Sequence, residues 1–138
     1  MFWQTHIATI VGYITTFYPE WKLVFQPKAE DRVLISSKII YINKNHNPRR
    51  KLYILLHELG HVILLTSSDY SVKYKRILNQ KSYSKLTYRV GIVEEEIDAW
   101  NEGEKVANKL SIPLDNHFYV VRSSKLASYM KWASRKLQ

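Results

Sequence analysis

Leu52-Tyr53-Ile54-Leu55-Leu56-His57-Glu58-Leu59-Gly60-His61-Val62-Ile63-Leu64-Leu65 is the run on which the reading of the whole chain turns. As a helix it puts His57 and His61 four residues apart, one turn from each other on the same face. Two imidazoles so spaced both reach one Zn²⁺ at about 2.0–2.1 Å, and Glu58 then stands beside the metal's open position. A carboxylate there takes a proton from the water the metal holds, whose pKa falls towards about 7. Five residues thus offer two metal ligands and a general base. The competing reading is a chance match on a buried structural helix. Two His and a Glu in so apolar a run are costly to bury without partners, and a metal-free helix would more cheaply carry Leu or Ala there.

Working outward, a strand-like segment precedes the run and an acidic cluster follows it. Pro48 sits where a first helical turn begins, after the polar loop from Asn43 to Asn47. Arg49, Arg50 and Lys51 are oddly placed there, because the helix dipole disfavours cations at an N-terminus; they are either solvated or hold an acidic group elsewhere. Upstream, Trp21–Phe25, Arg32–Ile35 and Lys38–Asn43 read as three strands, with Ser36-Ser37 at a turn. Before them, Thr5 to Tyr18 reads as a helix with Ile7, Ile10, Val11, Ile14 and Phe17 or Tyr18 at three- and four-residue steps, ended by Pro19. From Ser71 to Arg89 the chain carries several Lys and Arg and no acid, with Tyr74, Tyr83 and Tyr88 between them; such a stretch can grip phosphates and stack bases, but reads first as a solvated excursion. Downstream, Ile92 to Leu110 reads as a second long helix and Phe118 to Leu137 as a final one with a basic face.

A hydrolytic zinc needs a third protein ligand and leaves its fourth position to water. Glu94-Glu95-Glu96-Ile97-Asp98 is the source. Glu96 shares a stripe with Val93, Ile97, Trp100 and Gly103 and points inward, so it is the first choice as ligand. Glu95 borders Ile92, Ala99 and Val106 and is the second. Glu94 lies on the polar side with Asp98, whose face argues against a role in orienting a ligand His. Gly103 is small enough to let two helices approach closely. All three glutamates as a solvated first turn, favoured by the dipole, is the alternative.

Composition sets the limits. The 138 residues fit a single domain, 1–138, with a core of its own, and 46% hydrophobic content fits a globular fold. No cysteine is present, so His and carboxylates are the strong ligands left. No signal peptide and no membrane-length apolar segment is apparent, which predicts a soluble, cytoplasmic protein without membrane contact. The net charge of +9 favours acidic partners, nucleic acid first among them.

Ile40-Tyr41-Ile42-Asn43, the basic pair Arg49-Arg50, the His57–His61 motif and Glu96-Ile97-Asp98-Ala99 together resemble the ImmA/IrrE-type zinc metallopeptidases. In that family a strand ending in Asn leads through an Arg-containing loop into the motif helix, and a Glu-x-Glu-Ala motif supplies the last ligand; Asp98 here replaces the second Glu. Ala99-Trp100-Asn101-Glu102-Gly103 is similar to small phage-encoded members. The resemblance covers about residues 33 to 113. It implies an α+β, zincin-like fold: N-terminal helix, three-stranded sheet, motif helix, ligand helix and C-terminal helix. It implies a phage or mobile-element source, and some members cleave a repressor. Two departures stand out: no DNA-binding domain is attached as in some relatives, and the spacing from His61 to Glu96 is long. A tie to SprT-type proteases is disfavoured, since those use a third His after the motif and His117 is the only later His.

The expected activity is therefore hydrolysis of a peptide bond in a protein or peptide substrate, with His57, His61 and Glu96 on Zn²⁺ and Glu58 as general base. Tyr70, Tyr88 and His117 are candidates, by residue type, for an oxyanion donor. The rival expectation is a basic nucleic-acid- or protein-binding module with a structural or vestigial zinc site. Intact Glu58 favours the enzyme, since a structural site has no use for it.

Overall fold

A computed structural model of the chain describes residues 2–75 and 85–135. Its centre is a helix, α2 (Pro48–Thr66), whose residues from Leu52 to Gly60 are all buried. A helix apolar all round must be surrounded, and the other elements are arranged about it. Its start is set locally: Asn47 is the N-cap, its side chain accepting from the Arg50 N–H at 2.9 Å, and Pro48 fills the first turn where no N–H is needed.

On one side lies α1 (Trp3–Phe17), which buries Ile10 and Ile14. Tyr18 rather than Phe17 completes its apolar stripe, since Tyr18 packs on the core and Phe17 is exposed. A three-stranded sheet follows: β1 (Lys22–Gln26), β2 (Arg32–Leu34) and β3 (Ile39–Asn43). Its order is β1-β3-β2, with β1 parallel and β2 antiparallel to β3. Ile40 and Ile42 of β3 point into the core while its alternate residues do not, the period-2 signature of a half-covered sheet. β2 turns into β3 through Ser36-Ser37, with Lys38 at φ 53, so the third strand starts one residue later than the sequence suggests. β2 is an edge strand.

After α2 comes a π-helical turn, Ser71–Lys75. Residues 76–84, including Tyr83 and the middle of the basic excursion, lie outside the described residues. The ligand helix, α3 (Leu86–Lys109), begins six residues earlier than its sequence pattern indicates. Glu94, Glu95 and Glu96 therefore sit in the third turn, which removes the reading of them as a solvated first turn. α3 crosses α2 with backbone nearly touching backbone: a Cβ on Gly60 would stand 1.9 Å from the Ala99 carbonyl oxygen, and one on Gly103 would stand 2.5 Å from that of Leu56. The close approach expected at Gly103 is thus one of two.

The last helix, α4 (Asn116–Ala133), starts two residues before the expected Phe118. Asp115 caps it, accepting from the Phe118 N–H at 3.2 Å, and also takes the Tyr53 hydroxyl at 2.5 Å and Arg49 at 3.4 Å. This explains the cation at the start of α2: Arg49 holds the N-cap of another helix. α4 runs antiparallel to α3, since Tyr119 donates to Glu104 at 2.7 Å, Arg122 to Asn101 at 2.8 Å, and Arg89 to the Trp132 carbonyl at 3.2 Å. The architecture is the α+β one that the sequence predicts. Among the described residues no helix is long and apolar enough to cross a membrane.

Candidate metal centre

The α2–α3 crossing brings three donor side chains to one point. His57 Nε2 lies 3.0 Å from Glu96 Oε2, and His61 Nε2 lies 3.1 Å from Glu96 Oε1. Ligand atoms of the three residues all fall within 4.8 Å of one another. Two ligand atoms on one tetrahedral zinc, each about 2.0–2.1 Å from it, are about 3.3 Å apart, so the separations suit a shared ion. His57 and Glu96 are each only 7% exposed. Glu96 Oε2 is nevertheless without a hydrogen bond, although His57 Nε2 is so close. The three donors converge on one point, as ligands of a shared ion would. The donor set, two imidazoles and a carboxylate, fits zinc.

The electrostatics favour the same assignment. Burial opposes ionisation of Glu96, yet His57 and His61 outweigh it and hold the carboxyl well below its ordinary range. Burial alone would keep His61 neutral, but Glu95 and Glu96 raise its pKa to about 10. For His57 burial dominates and the charge on His61 adds to it, so its pKa is lowered and the ring is neutral. Between the two, His61 carries the proton at neutral pH. Because a ligand imidazole must be neutral, metal uptake has to expel that proton. At pH 8, below the His61 pKa of about 10, zinc binding to chelator-stripped protein is expected to release about one proton per ion and to weaken as pH falls. Calorimetry in buffers of different ionisation enthalpy measures this; uptake with no proton release at pH 8 would refute it.

The surrounding side chains fix the rings. Trp100 stacks on His57 with centroids 4.3 Å apart and planes 16° from parallel. The stacking fixes the plane of the ring, while His57 Nδ1 has no hydrogen-bond partner among the described residues. Glu95 lies behind His61, with Oε1 3.6 Å from Nδ1, and accepts from the Tyr70 hydroxyl at 3.3 Å. The structure therefore separates the two glutamates that the sequence left in competition: Glu96 faces both Nε2 atoms, and Glu95 faces the far nitrogen of His61. Glu94 is exposed. Asp98 pairs with Lys73 at 2.9 Å and with the Tyr74 hydroxyl, so it orients no histidine.

Glu58 is 5% exposed and accepts no hydrogen bond among the described residues. Its Oε1 is 3.9 Å from His57 Nε2. Burial pushes its carboxyl up to about 7, the position of a base that works near neutral pH. A cavity of about 240 Å³ opens over it and the three donors, walled by Asp31, Arg32 and Val33 at the β2 edge and by Tyr129 of α4. Asp31 is held by the Asn43 N–H and by His46 Nε2, both at 2.7 Å.

The oxyanion candidates read from sequence are elsewhere. The Tyr70 hydroxyl is on Glu95, Tyr88 lines an apolar cavity on the other side of Tyr129, and His117 lies against Tyr53 with centroids 6.1 Å apart. Tyr129, which sequence reasoning did not single out, is the tyrosine that borders the metal cavity among the described residues. Burial, the charge on Glu96 and a hydrogen bond from the hydroxyl to Glu96 raise its pKa, so the hydroxyl keeps its proton.

Residues 20–97 match the peptidase family described as the IrrE N-terminal-like domain. No curated protein and no solved structure matches the chain. The matched segment holds all three strands, α2 and Glu96; Trp100 and Tyr129 lie beyond it.

Proposed function

The chain belongs to the IrrE N-terminal-like peptidase family, and from that membership we propose that it is a zinc-dependent peptidase cleaving a peptide bond in a protein substrate. The observation that carries this reading is the meeting of His57, His61 and Glu96 beside a buried Glu58 that lines the same cavity. Three donors leave one coordination position open, whereas structural zinc sites are usually closed by four protein ligands. His57, His61 and Glu96 would hold the ion. When bound, Zn²⁺ supplies a Lewis acid that polarises the scissile carbonyl and acidifies water. Glu58 takes the proton from the attacking water on a carboxylate oxygen as the new C–O bond forms. It then delivers that proton to the amide nitrogen as the C–N bond breaks, so acid and amine products balance the water consumed.

The walls of the cavity favour a peptide over a nucleic acid. Glu30, Asp31, Glu58, Glu95 and Glu96 all line it, five of the chain's twelve acids in a protein of net charge +9. Phosphates would be repelled there. β2, paired on one side only, offers free backbone groups at the cavity's edge to which an extended peptide can add as a strand.

Metal content is the test. Protein offered Zn²⁺ and then desalted is expected to hold about one ion per chain, and Glu96→Ala to lose it, both read by elemental analysis. No retained zinc in the wild type would make the motif vestigial and the proposal wrong.

A further inference from the structure

We propose, building on the peptidase reading, that the Tyr129 hydroxyl donates the hydrogen bond that stabilises negative charge developing on the scissile carbonyl oxygen. Such a charge needs a positioned donor in addition to the metal. Among the side chains of the described residues, the cavity's inventory leaves one. Its other polar side chains include five carboxylates, which would repel an oxyanion. His57 and His61 are committed to the ion. Arg32 also lines the cavity, but its guanidinium lies over the ring of its register partner Tyr41 at 5.5 Å, on the face of β3 opposite Ile40 and Ile42. Among the described residues Tyr129 is the neutral side-chain O–H that lines the cavity; its hydroxyl meets Glu96 there and would turn to the carbonyl oxygen once Glu96 is held by the ion.

The fold holds Tyr129 there by contacts along the whole of α4. Phe118 anchors its first turn in the core at 0% exposure, and Tyr119 and Arg122 fix its register against Glu104 and Asn101. At its far end Arg89 takes the carbonyls of Trp132 and Arg135, at 3.2 and 2.9 Å. With the two helices antiparallel and pinned at both ends, Tyr129 comes level with the turn of α3 that carries Glu96. The donor thus comes from an element that the family match does not reach, and it is added to a metal site built within the matched residues.

The test compares zinc-loaded wild type with Tyr129→Phe, which removes one oxygen and leaves the ring. The probes are unfolded casein and a phosphinic peptide, whose tetrahedral phosphinate copies the shape and charge of the hydrolytic transition state. Tyr129→Phe is expected to melt as the wild type does and to hold the same zinc. Its kcat on casein should fall about 100-fold with KM within about twofold. Phosphinic-peptide affinity should fall by a similar factor. Equal kcat, a raised KM with unchanged kcat, or unchanged phosphinate affinity overturns the role of Tyr129 alone. Zinc lost from Tyr129→Phe makes it a prop for Glu96 instead, and also overturns it. A zinc-loaded wild type that neither cleaves casein nor binds the phosphinic peptide overturns the peptidase reading, and the role of Tyr129 falls with it.

Discussion

Glu58→Gln is expected to keep zinc at the wild-type level while losing about 10³-fold or more in turnover, at the strong end of what a positioned acid–base group contributes. The substitution keeps the side chain's size and removes its basicity. Metal should stay because Glu58 is outside the donor set: it lies 3.9 Å from His57 Nε2, against 3.0 and 3.1 Å for the Glu96 contacts. Turnover should go because an amide can neither accept the proton of water nor return it to nitrogen. A second readout separates this from damage to the fold. In stripped protein, burial raises the Glu58 pKa from 4.5 to about 7. The folded state then binds a proton that the unfolded chain has given up. The stability from this group is full below pH 4.5 and is lost as pH rises through about 7. Gln carries no such charge, so above pH 7 the stripped Glu58→Gln protein should be at least as stable as the wild type. Undiminished turnover with zinc bound would refute the general-base assignment, and a large loss of stability above pH 7 would refute the account of its environment.

What could be read from sequence followed from how sharply each local signal conflicted with its surroundings. His57, Glu58 and His61 stood out because ionisable groups in an apolar run need partners, and Asn47-Pro48 marked the start of their helix. Glu96 was legible because the 3.6-residue stripe of α3 runs through it, so its inward direction followed from Val93, Trp100 and Gly103 on the same face. The start of α3 was not legible. Lys85 occupies its N-cap without a side-chain cap bond, and no acid marks its first turn. Arg49 could be recognised as anomalous but not explained, because its partner, Asp115, is 66 residues away. Tyr129 was hidden for a different reason. Apolar residues lie all round α4, with Phe118 and Val121 buried but Val120 and Met130 exposed, 52% and 56%. A helix without a clear stripe does not reveal from its sequence which side chain faces the cavity.

Gly60→Ala is expected to destabilise the protein by about 4 kcal/mol, at the upper end for overpacking, or to prevent folding. The added methyl would lie 1.9 Å from the Ala99 carbonyl oxygen and 2.7 Å from its carbon. Both are backbone atoms of a helix, so no rotamer change relieves the clash and α3 itself must move away. Gly103 crosses Leu56 nearly as closely, so the two helices cannot pivot about the other contact. Gly12 provides the control. It is exposed on the outer face of α1 with nothing within 4 Å of an added Cβ. Gly12→Ala should therefore stabilise by about 0.5–1 kcal/mol through helix propensity and the unfolded chain's lost freedom. Chemical denaturation of the three proteins, followed by circular dichroism, measures both effects. The same crossing carries His57 and His61 on one helix and Glu96 on the other. Any folded Gly60→Ala protein should thus bind zinc more weakly, because the shift that relieves the methyl draws Glu96 away from the two imidazoles. A Gly60→Ala protein as stable as the wild type, or one that keeps wild-type zinc affinity, would mean that the metal donors do not depend on the α2–α3 contact.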